Sequence, residues 1–583
     1  MSAVNDLADE MLDAIFDAYP AIATLLGFAG PRDRLLTDHR ESAEQAMDAR
    51  VAAIGARAAA LDPADLTPDE RVTRAVVMRQ SDDLRAGWQG HLTEFSICDS
   101  FTAPAADILF TLPMITISTA EQADAYVDRL AAIPRTLEAL ADRHRAGIAV
   151  GRVPVRHLVE AAADHVDRYL ANADDPLAKP TPADHAGGTS AAVDGGAVDS
   201  GAAEGGAVDV PAFHARRDEV LRSAVRPAFA AYRDVLRNEV APHGRDREHP
   251  GLTWLPGGDE IYARMIAMHT TTGRTADEIH QTGLDVIARL ADEYREVGGR
   301  VFGTTDLAEI FERLRTDPAL RWRDGDELLE AARAAVARAD AAAPEWFGRL
   351  PSQGCEVRAV PDDEAPGAAG AYYTQPAMDG SRPGIYFANT YEATERDRTQ
   401  CESTAFHEAI PGHHFQTTIA MELTDLPMLR RLAPFTAYGE GWGLYCERLA
   451  HEMGLYSDDI ALLGMLSTDS LRAARLVVDT GMHAKGWSRE QAVRYMMEQT
   501  PVMPLEIESE IDRYIATPGQ ALAYMIGRLE IQRIRAEAER ALGSAFDIRG
   551  FHDTVLGSGA LPLSVLAELV DAWVAQRTAE PAA

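Results

Sequence analysis

His407-Glu408-Ala409-Ile410-Pro411-Gly412-His413-His414 gathers three imidazoles and a carboxylate into eight consecutive residues. Each neutral imidazole offers a nitrogen to a borderline-soft cation such as zinc. The acid beside the first His stands where a metal-dependent hydrolase keeps its general base. The string approaches His-Glu-x-x-His without matching it. On a continuous helix that signature sets its two His about 40° apart in azimuth and ~6 Å apart in rise, so both rings reach one ion. Here i+4 is Pro411, and the candidate partners stand at i+6 and i+7, roughly 9 and 10.5 Å along an ideal helix. Rings that far apart share an ion only if the chain kinks. Pro411-Gly412 supplies the kink, because Pro removes a helical N–H and clashes with the preceding turn, while Gly accepts backbone angles that other residues avoid. Either His413 or His414 then serves as the second ligand.

Working outward, the pattern predicts one helix from near Thr399 that stops at Pro411 and a second that begins around His413. Beyond Pro434 the string Ala437-Tyr438-Gly439-Glu440-Gly441-Trp442-Gly443-Leu444-Tyr445-Cys446-Glu447 is helical by pattern despite its three glycines. Glu440 and Glu447, seven apart, share a face. Glycines around Glu440 let this helix approach another backbone closely, as a third metal ligand requires. Upstream, 355–360, 371–375 and 384–389 are short β-rich runs separated by Pro and Gly, with Asp379-Gly380 as turn chemistry between the last two. They predict a small sheet beside the metal-bearing helix, either a plain structural hairpin or an edge to which a substrate peptide adds by main-chain hydrogen bonds.

Elsewhere apolar residues recur at threes and fours, as in Leu7, Met11, Ile15 and Phe16, which predicts helix after helix. At 583 residues the chain exceeds one ordinary core. The expected division is a helical subdomain over 1–175, a flexible low-complexity insertion over 176–212 and a helical catalytic region over 213–583, with the sheet at about 355–390. The insertion carries Gly-Gly-Ala-Val-Asp at 195–199 and again at 205–209, and lacks the apolar content to offset its ordering entropy. A formal charge of −35 repels nucleic acid and anionic membrane surfaces. The four cysteines are widely spaced, which predicts reduced thiols. The first residues carry acids in a helical pattern instead of a basic, then apolar, leader, and no apolar run is long enough to span a bilayer. A cytoplasmic protein is expected; its oligomeric state is not legible.

Several strings together carry a family resemblance: His407 to His414 with Gln416, Gly439-Glu440-Gly441-Trp442, Asp379-Gly380-Ser381-Arg382-Pro383-Gly384, Val478-Asp479-Thr480-Gly481 with His483, and Arg513-Tyr514-Ile515 leading to Pro518-Gly519-Gln520-Ala521. The chain closely resembles the bacterial family catalogued as domain of unknown function 885, over nearly its whole length apart from the insertion. That family in turn is similar to the mostly helical zinc peptidases typified by thermostable carboxypeptidases, thimet oligopeptidase and angiotensin-converting enzyme. The resemblance implies a mainly α, zincin-like fold with a deep cleft, and one zinc ion on His407, His413 and Glu440. His413 is preferred to His414 because those peptidases place Gly directly before their second His. They also use late tyrosines or histidines to stabilise the oxyanion, which points to Tyr524 first and Tyr514 second.

Three protein ligands leave a fourth position for water, and Glu408 is set to take its proton and hand it to the leaving amine. Asp479 is expected to orient a ligating imidazole, as carboxylates around metal sites do. His483, one turn on, contacts substrate or packs beside Trp487. Tyr373 and Arg475 are the candidate substrate-binding residues, Arg475 and Arg472 offering the cation that the family's Lys would supply at Met525. The expected function is hydrolysis of short peptides, of carboxypeptidase or oligopeptidase type. The alternatives are a metal-dependent amidase or other hydrolase, and a catalytically silent helical protein with a structural metal.

Overall fold

A chain whose apolar residues return every three or four positions buries one stripe per helix, and stacking those stripes is how it closes a core. The computed structural model of this protein describes residues 2–28, 30–182, 208–361, 365, 369–376, 378 and 382–579. Among them the chain is mainly helical with one small sheet. Most of the 176–212 interval and the turn residues Asp379-Gly380 lie outside the described residues.

Packing divides the chain into two compact units, at places other than those composition marks. One unit comprises Asp13–Met47 and His91–Asp246; the other comprises Met1–Leu12, Asp48–Gly90 and Arg247–Ala583. Residues 213–246 therefore belong with the earlier helices, and 48–90 with the later ones. A composition shift marks where apolar content drops, not which helices share a core.

In the first unit, helices Ala120–Ala149 and Arg156–Ala171 pack with a run over 210–240 that alternates α and π turns. Leu130, Ile133, Val159, Phe229 and Leu236 are fully buried there. Arg143 enters the same interior and is met by the carboxylates of Glu44 and Glu94, the pairing a buried guanidinium needs.

The second unit is built on Asp459–Lys485, a helix buried over nearly all of its length. It carries Asp469, fully buried between Arg448 and Arg528. Burial works to raise this carboxyl, but the two guanidinium charges outweigh it and hold Asp469 below the usual carboxylate range. Arg448 comes from helix Thr436–Glu452 and Arg528 from helix Ala523–Leu542, so one charge ties three helices together.

The sheet contains β1 (Cys355–Ala359), β2 (Ala371–Thr374) and β3 (Gly384–Ala388) in the order β1-β3-β2. β2 runs antiparallel to β3 with Tyr373 opposite Tyr386, as a hairpin does; β1 runs parallel to β3 with Cys355 opposite Gly384. β3, almost wholly buried, is the central strand, and both neighbours are edges. All four cysteines are free. Among the described residues no helix is long and apolar enough to cross a membrane.

Helices Thr436–Glu452 and Ala523–Leu542 cross closely enough to bring backbone against backbone. A Cβ on Gly527 would stand 1.9 Å from the Ala437 carbonyl oxygen, and one on Gly441 would stand 2.5 Å from Gly527 Cα. Both obstacles are backbone, so the helices must separate to admit a methyl group. Gly527→Ala is expected to destabilise the protein by about 1–3 kcal/mol, the usual cost of overpacking, read from the midpoint of urea unfolding. An unchanged midpoint would contradict this packing.

Candidate metal centre

The helix carrying the first histidine, Cys401–Glu408, starts on an organised turn: Asp397 accepts hydrogen bonds from the Thr399 amide at 2.8 Å, the Thr399 hydroxyl at 2.9 Å and the Gln400 side chain at 3.1 Å. It ends where Ala409 leaves helical geometry, at φ −106° and ψ −98°. The Ile410–Pro411 peptide is cis. The next helix, His413–Glu422, begins directly after Gly412. A Cβ at Gly412 would lie 1.8 Å from the His407 carbonyl oxygen, so only glycine lets the chain fold back this tightly. The turn is held from the Glu440 helix, where the Trp442 indole N–H donates to the Pro411 carbonyl at 2.9 Å and the Cys446 thiol donates to it at 3.3 Å.

This reversal brings His407 and His413 together, their rings perpendicular with centroids 4.8 Å apart. Glu440 Oε2 stands 3.4 Å from His407 Nε2 and 3.5 Å from His413 Nε2. One ligand atom from each of the three residues lies within 4.8 Å of the others. For a tetrahedral zinc with bonds of about 2.0–2.1 Å, neighbouring ligand atoms stand roughly 3.3–3.4 Å apart. The two Glu440 separations match that edge, and two imidazoles with one carboxylate are zinc ligands by type. Burial works against charge on Glu440, but the two imidazoles outweigh it and hold the carboxyl well below its ordinary value.

His414 is placed elsewhere. Its Nδ1 meets the Tyr373 hydroxyl at 3.0 Å and its Nε2 meets the Gln353 carbonyl at 2.9 Å. Both nitrogens are engaged between the helix and β2, and burial lowers the pKa of the ring.

Two residues to which the sequence pattern assigns no role complete the geometry. His407 Nδ1–H donates to Glu447 Oε1 at 2.8 Å, which fixes the tautomer and leaves Nε2 free toward Glu440. Glu447 is fully buried and is itself anchored: the Thr468 hydroxyl donates to its other oxygen, and the Tyr456 hydroxyl donates to its main-chain carbonyl at 3.0 Å. Burial opposes charge on His407, but Glu440 and Glu447 together overcome it and raise the imidazole to about 10. Gly443 is the second: a Cβ there would meet the His407 ring at 2.7 Å from Cε1 and 2.8 Å from Nε2. The seven-residue spacing of Glu440 and Glu447 is the signal in the sequence that points to the first of these.

Asp479, expected to orient an imidazole, instead accepts from the Tyr262 hydroxyl at 2.5 Å and from the Gly519 amide at 3.2 Å. Burial pushes its carboxyl up to about 7. His483 accepts at Nδ1 from the Leu252 amide at 3.1 Å, and its Nε2 donates to the Tyr514 carbonyl at 3.0 Å. Both are fully buried and brace the chain between the Asp459–Lys485 helix and its neighbours. Tyr514 is fully buried too; its hydroxyl donates to Glu510 and accepts from Arg475 Nε at 2.7 Å. Tyr524 is only half-buried. Burial raises its pKa, and the Glu440 charge adds to the rise, so its phenol lies within electrostatic reach of the ligand set. Glu408, also half-buried, makes no hydrogen bond with its carboxylate among the described residues.

Two substitutions separate the residues that hold His407 from those that only surround it. Glu447→Gln removes the charge behind the imidazole and is expected to weaken zinc binding about 10–100-fold. Asp479→Asn is expected to leave zinc affinity unchanged. Competition against a fluorescent chelator measures both, and equal losses would refute the assignment of Glu447.

A solved structure from Colwellia psychrerythraea, of a provisionally assigned lipoprotein, is similar to this chain at 28% identity with a TM-score of 0.86, covering 99% of this chain and all of that one. A second, from Shewanella oneidensis, of a provisionally assigned lipoprotein of unknown function, is 18% identical with a TM-score of 0.72 and covers 98% of this chain and all of that one. The latter likeness establishes the fold alone. No curated protein is significantly similar. The family described as bacterial protein of unknown function (DUF885) matches residues 20–570, and the chain belongs to that family.

Proposed function

We propose that this protein is a zinc-dependent hydrolase that cleaves the peptide bonds of short peptides, with His407, His413 and Glu440 holding one ion. The observation that carries the reading is Glu408: it directly follows a candidate ligand, stands outside the ligand set and is bound to no other described group. A structural zinc site is closed by four protein ligands and has no use for such an acid. A zinc ion held here would supply Lewis acidity and make water a competent nucleophile near neutral pH.

Glu408 takes the proton of the attacking water and passes it to the departing amine. The Tyr524 hydroxyl donates to the carbonyl oxygen as negative charge develops on it. Tyr514 acts at one remove, since its hydroxyl is already committed to Glu510 and Arg475. Glu447 keeps the Nε2 of His407 facing the ion site. The kinship with helical zinc peptidases, a zincin-like arrangement around a deep cleft that excludes folded proteins, and a cytoplasmic setting all belong to the same proposal.

Glu408→Gln is expected to retain zinc by elemental analysis while hydrolysis of a mixed dipeptide and tripeptide library falls about 10²–10⁴-fold. Cleavage that survives the substitution would remove Glu408 from the chemistry. Zinc content is likewise expected to collapse in His413→Ala and to persist in His414→Ala; equal retention in both would refute the ligand set.

A further inference from the structure

Tyr524 stands on the first turn of helix Ala523–Leu542, and its surroundings fix where its ring sits. Two arginines of the Asp459–Lys485 helix cover the ring, with the guanidinium carbon of Arg475 4.6 Å and that of Arg472 5.9 Å from its centroid. The chain approaches that helix through Gly519, which turns with φ +83° and donates its amide to both carboxylate oxygens of Asp479 at 3.2 Å. Gln520 follows, four residues before Tyr524, and its Oε1 accepts from Arg513 Nη1 at 2.7 Å. Arg513 is anchored in turn, its Nε donating to Glu510 Oε1 at 3.2 Å and its Nη2 to Glu510 Oε2 at 2.9 Å.

These hydrogen bonds have a direction. A guanidinium has donors only, so the end of Gln520 that faces Arg513 is its oxygen, and its NH2 is the end left to donate. The group it meets is the Tyr524 phenol. Burial raises the pKa of that phenol and the Glu440 charge adds to the rise, while Arg475, Arg513 and a hydrogen bond from the Gln520 side chain work the other way. A neutral amide favours ionisation of a phenol only by donating to its oxygen. From Arg513 outward, each group therefore donates to the next. The seating of the ring leaves open only where the single phenolic proton points, because a hydroxyl rotates to suit its partners. A phenol oxygen that accepts from Gln520 turns that proton away from Gln520, and donors linked in a chain polarise one another.

We propose that Gln520 is a positioning residue for hydrolysis: held at its oxygen by Arg513, it donates to the phenol oxygen of Tyr524 and so leaves the one phenolic proton for the carbonyl oxygen of the bond being cleaved. The use of that proton rests on the hydrolase reading, whereas the pairing of Gln520 with Tyr524 stands on its own contacts. A donor oriented before charge develops costs no reorganisation at the moment of reaction. Asp479 shares the task at the main chain, since its grip on the Gly519 amide sets where Gln520 leaves the turn.

Gln520→Glu keeps the size of the side chain and its link to Arg513 but makes it an acceptor, so the phenol turns its proton toward position 520. With zinc-loaded full-length protein and Ala-Ala-Ala as substrate, kcat is expected to fall about 10²–10³-fold with KM little changed, the cost of losing an oxyanion donor. The same change made in Tyr524→Phe is expected to cost nothing further, because the group it acts through is gone. A role confined to bracing the turn leaves Gln520→Glu active; full activity there, or an additive loss in the double variant, would overturn the proposal. The pair is also read without zinc or turnover, by fluorine NMR of metal-free protein carrying 3-fluorotyrosine, in which the Tyr524 signal is the one missing from Tyr524→Phe. Its phenol is expected to ionise about tenfold less readily in Gln520→Leu than in the wild type, with circular dichroism native. If no peptide is cleaved and this Gln520-dependent titration appears, the pairing stands and the hydrolase reading falls. If peptides are cleaved and the titration is unchanged, hydrolysis stands and Gln520 loses its role.

Discussion

The seating of the His407 ring against Gly443 is the contact on which the candidate metal centre depends. The ring is pressed onto the Glu440 helix closely enough that no Cβ fits between them. From that position Nδ1 reaches Glu447 and Nε2 reaches toward Glu440, two carboxylates one heptad apart on one helix face. Moving the ring away by a methyl radius would break both relations together. His413 depends on it in turn, because the Gly412 reversal is measured from the His407 carbonyl and clamped by Trp442 and Cys446 of the same helix.

A strongly acidic chain meets the cost of buried charge by sharing. Asp469 answers Arg448 and Arg528, Glu510 answers Arg475 and Arg513, and Glu440 stands between His407 and His413. Each is a carboxylate between two cationic or potentially cationic groups, supplied by different segments of the chain. Such pairs contribute little net stability compared with apolar packing, but losing one partner is expensive, so they hold helices in register. Arg472 departs from this pattern, since among the described residues its nearest carboxylate influence is Glu506, which acts on it without a direct ion pair.

Much of the centre is legible in the amino-acid order alone. Pro411-Gly412 announces the break between two helices, and those helices are found at Cys401–Glu408 and His413–Glu422. The glycines of Gly439-Glu440-Gly441-Trp442-Gly443 announce a close approach, and two of them face a helix backbone and an imidazole. The antiparallel pairing of β2 with β3 follows from their hairpin pattern, whereas the parallel pairing of β1 does not, because nothing local in a short strand encodes a distant partner. Asp479 misleads for a related reason. Its one-turn spacing from His483 places both on one face, but the face looks toward Tyr262 and Gly519.

The amino-acid order alone therefore speaks to what is local: residue types able to bind a metal, the turn that folds them back, and helices by period. Which of two adjacent histidines faces Glu440 was a matter of tertiary structure. Neighbouring helix positions point about 100° apart, and only the packed surroundings decide which direction leads to Glu440 and which to Tyr373 and Gln353. The role of Glu447 and the locking of Tyr514 were decided in the same way. Each depends on atoms brought together from segments far apart in the chain, and the free energy of a buried polar group is set by those atoms rather than by its sequence neighbours.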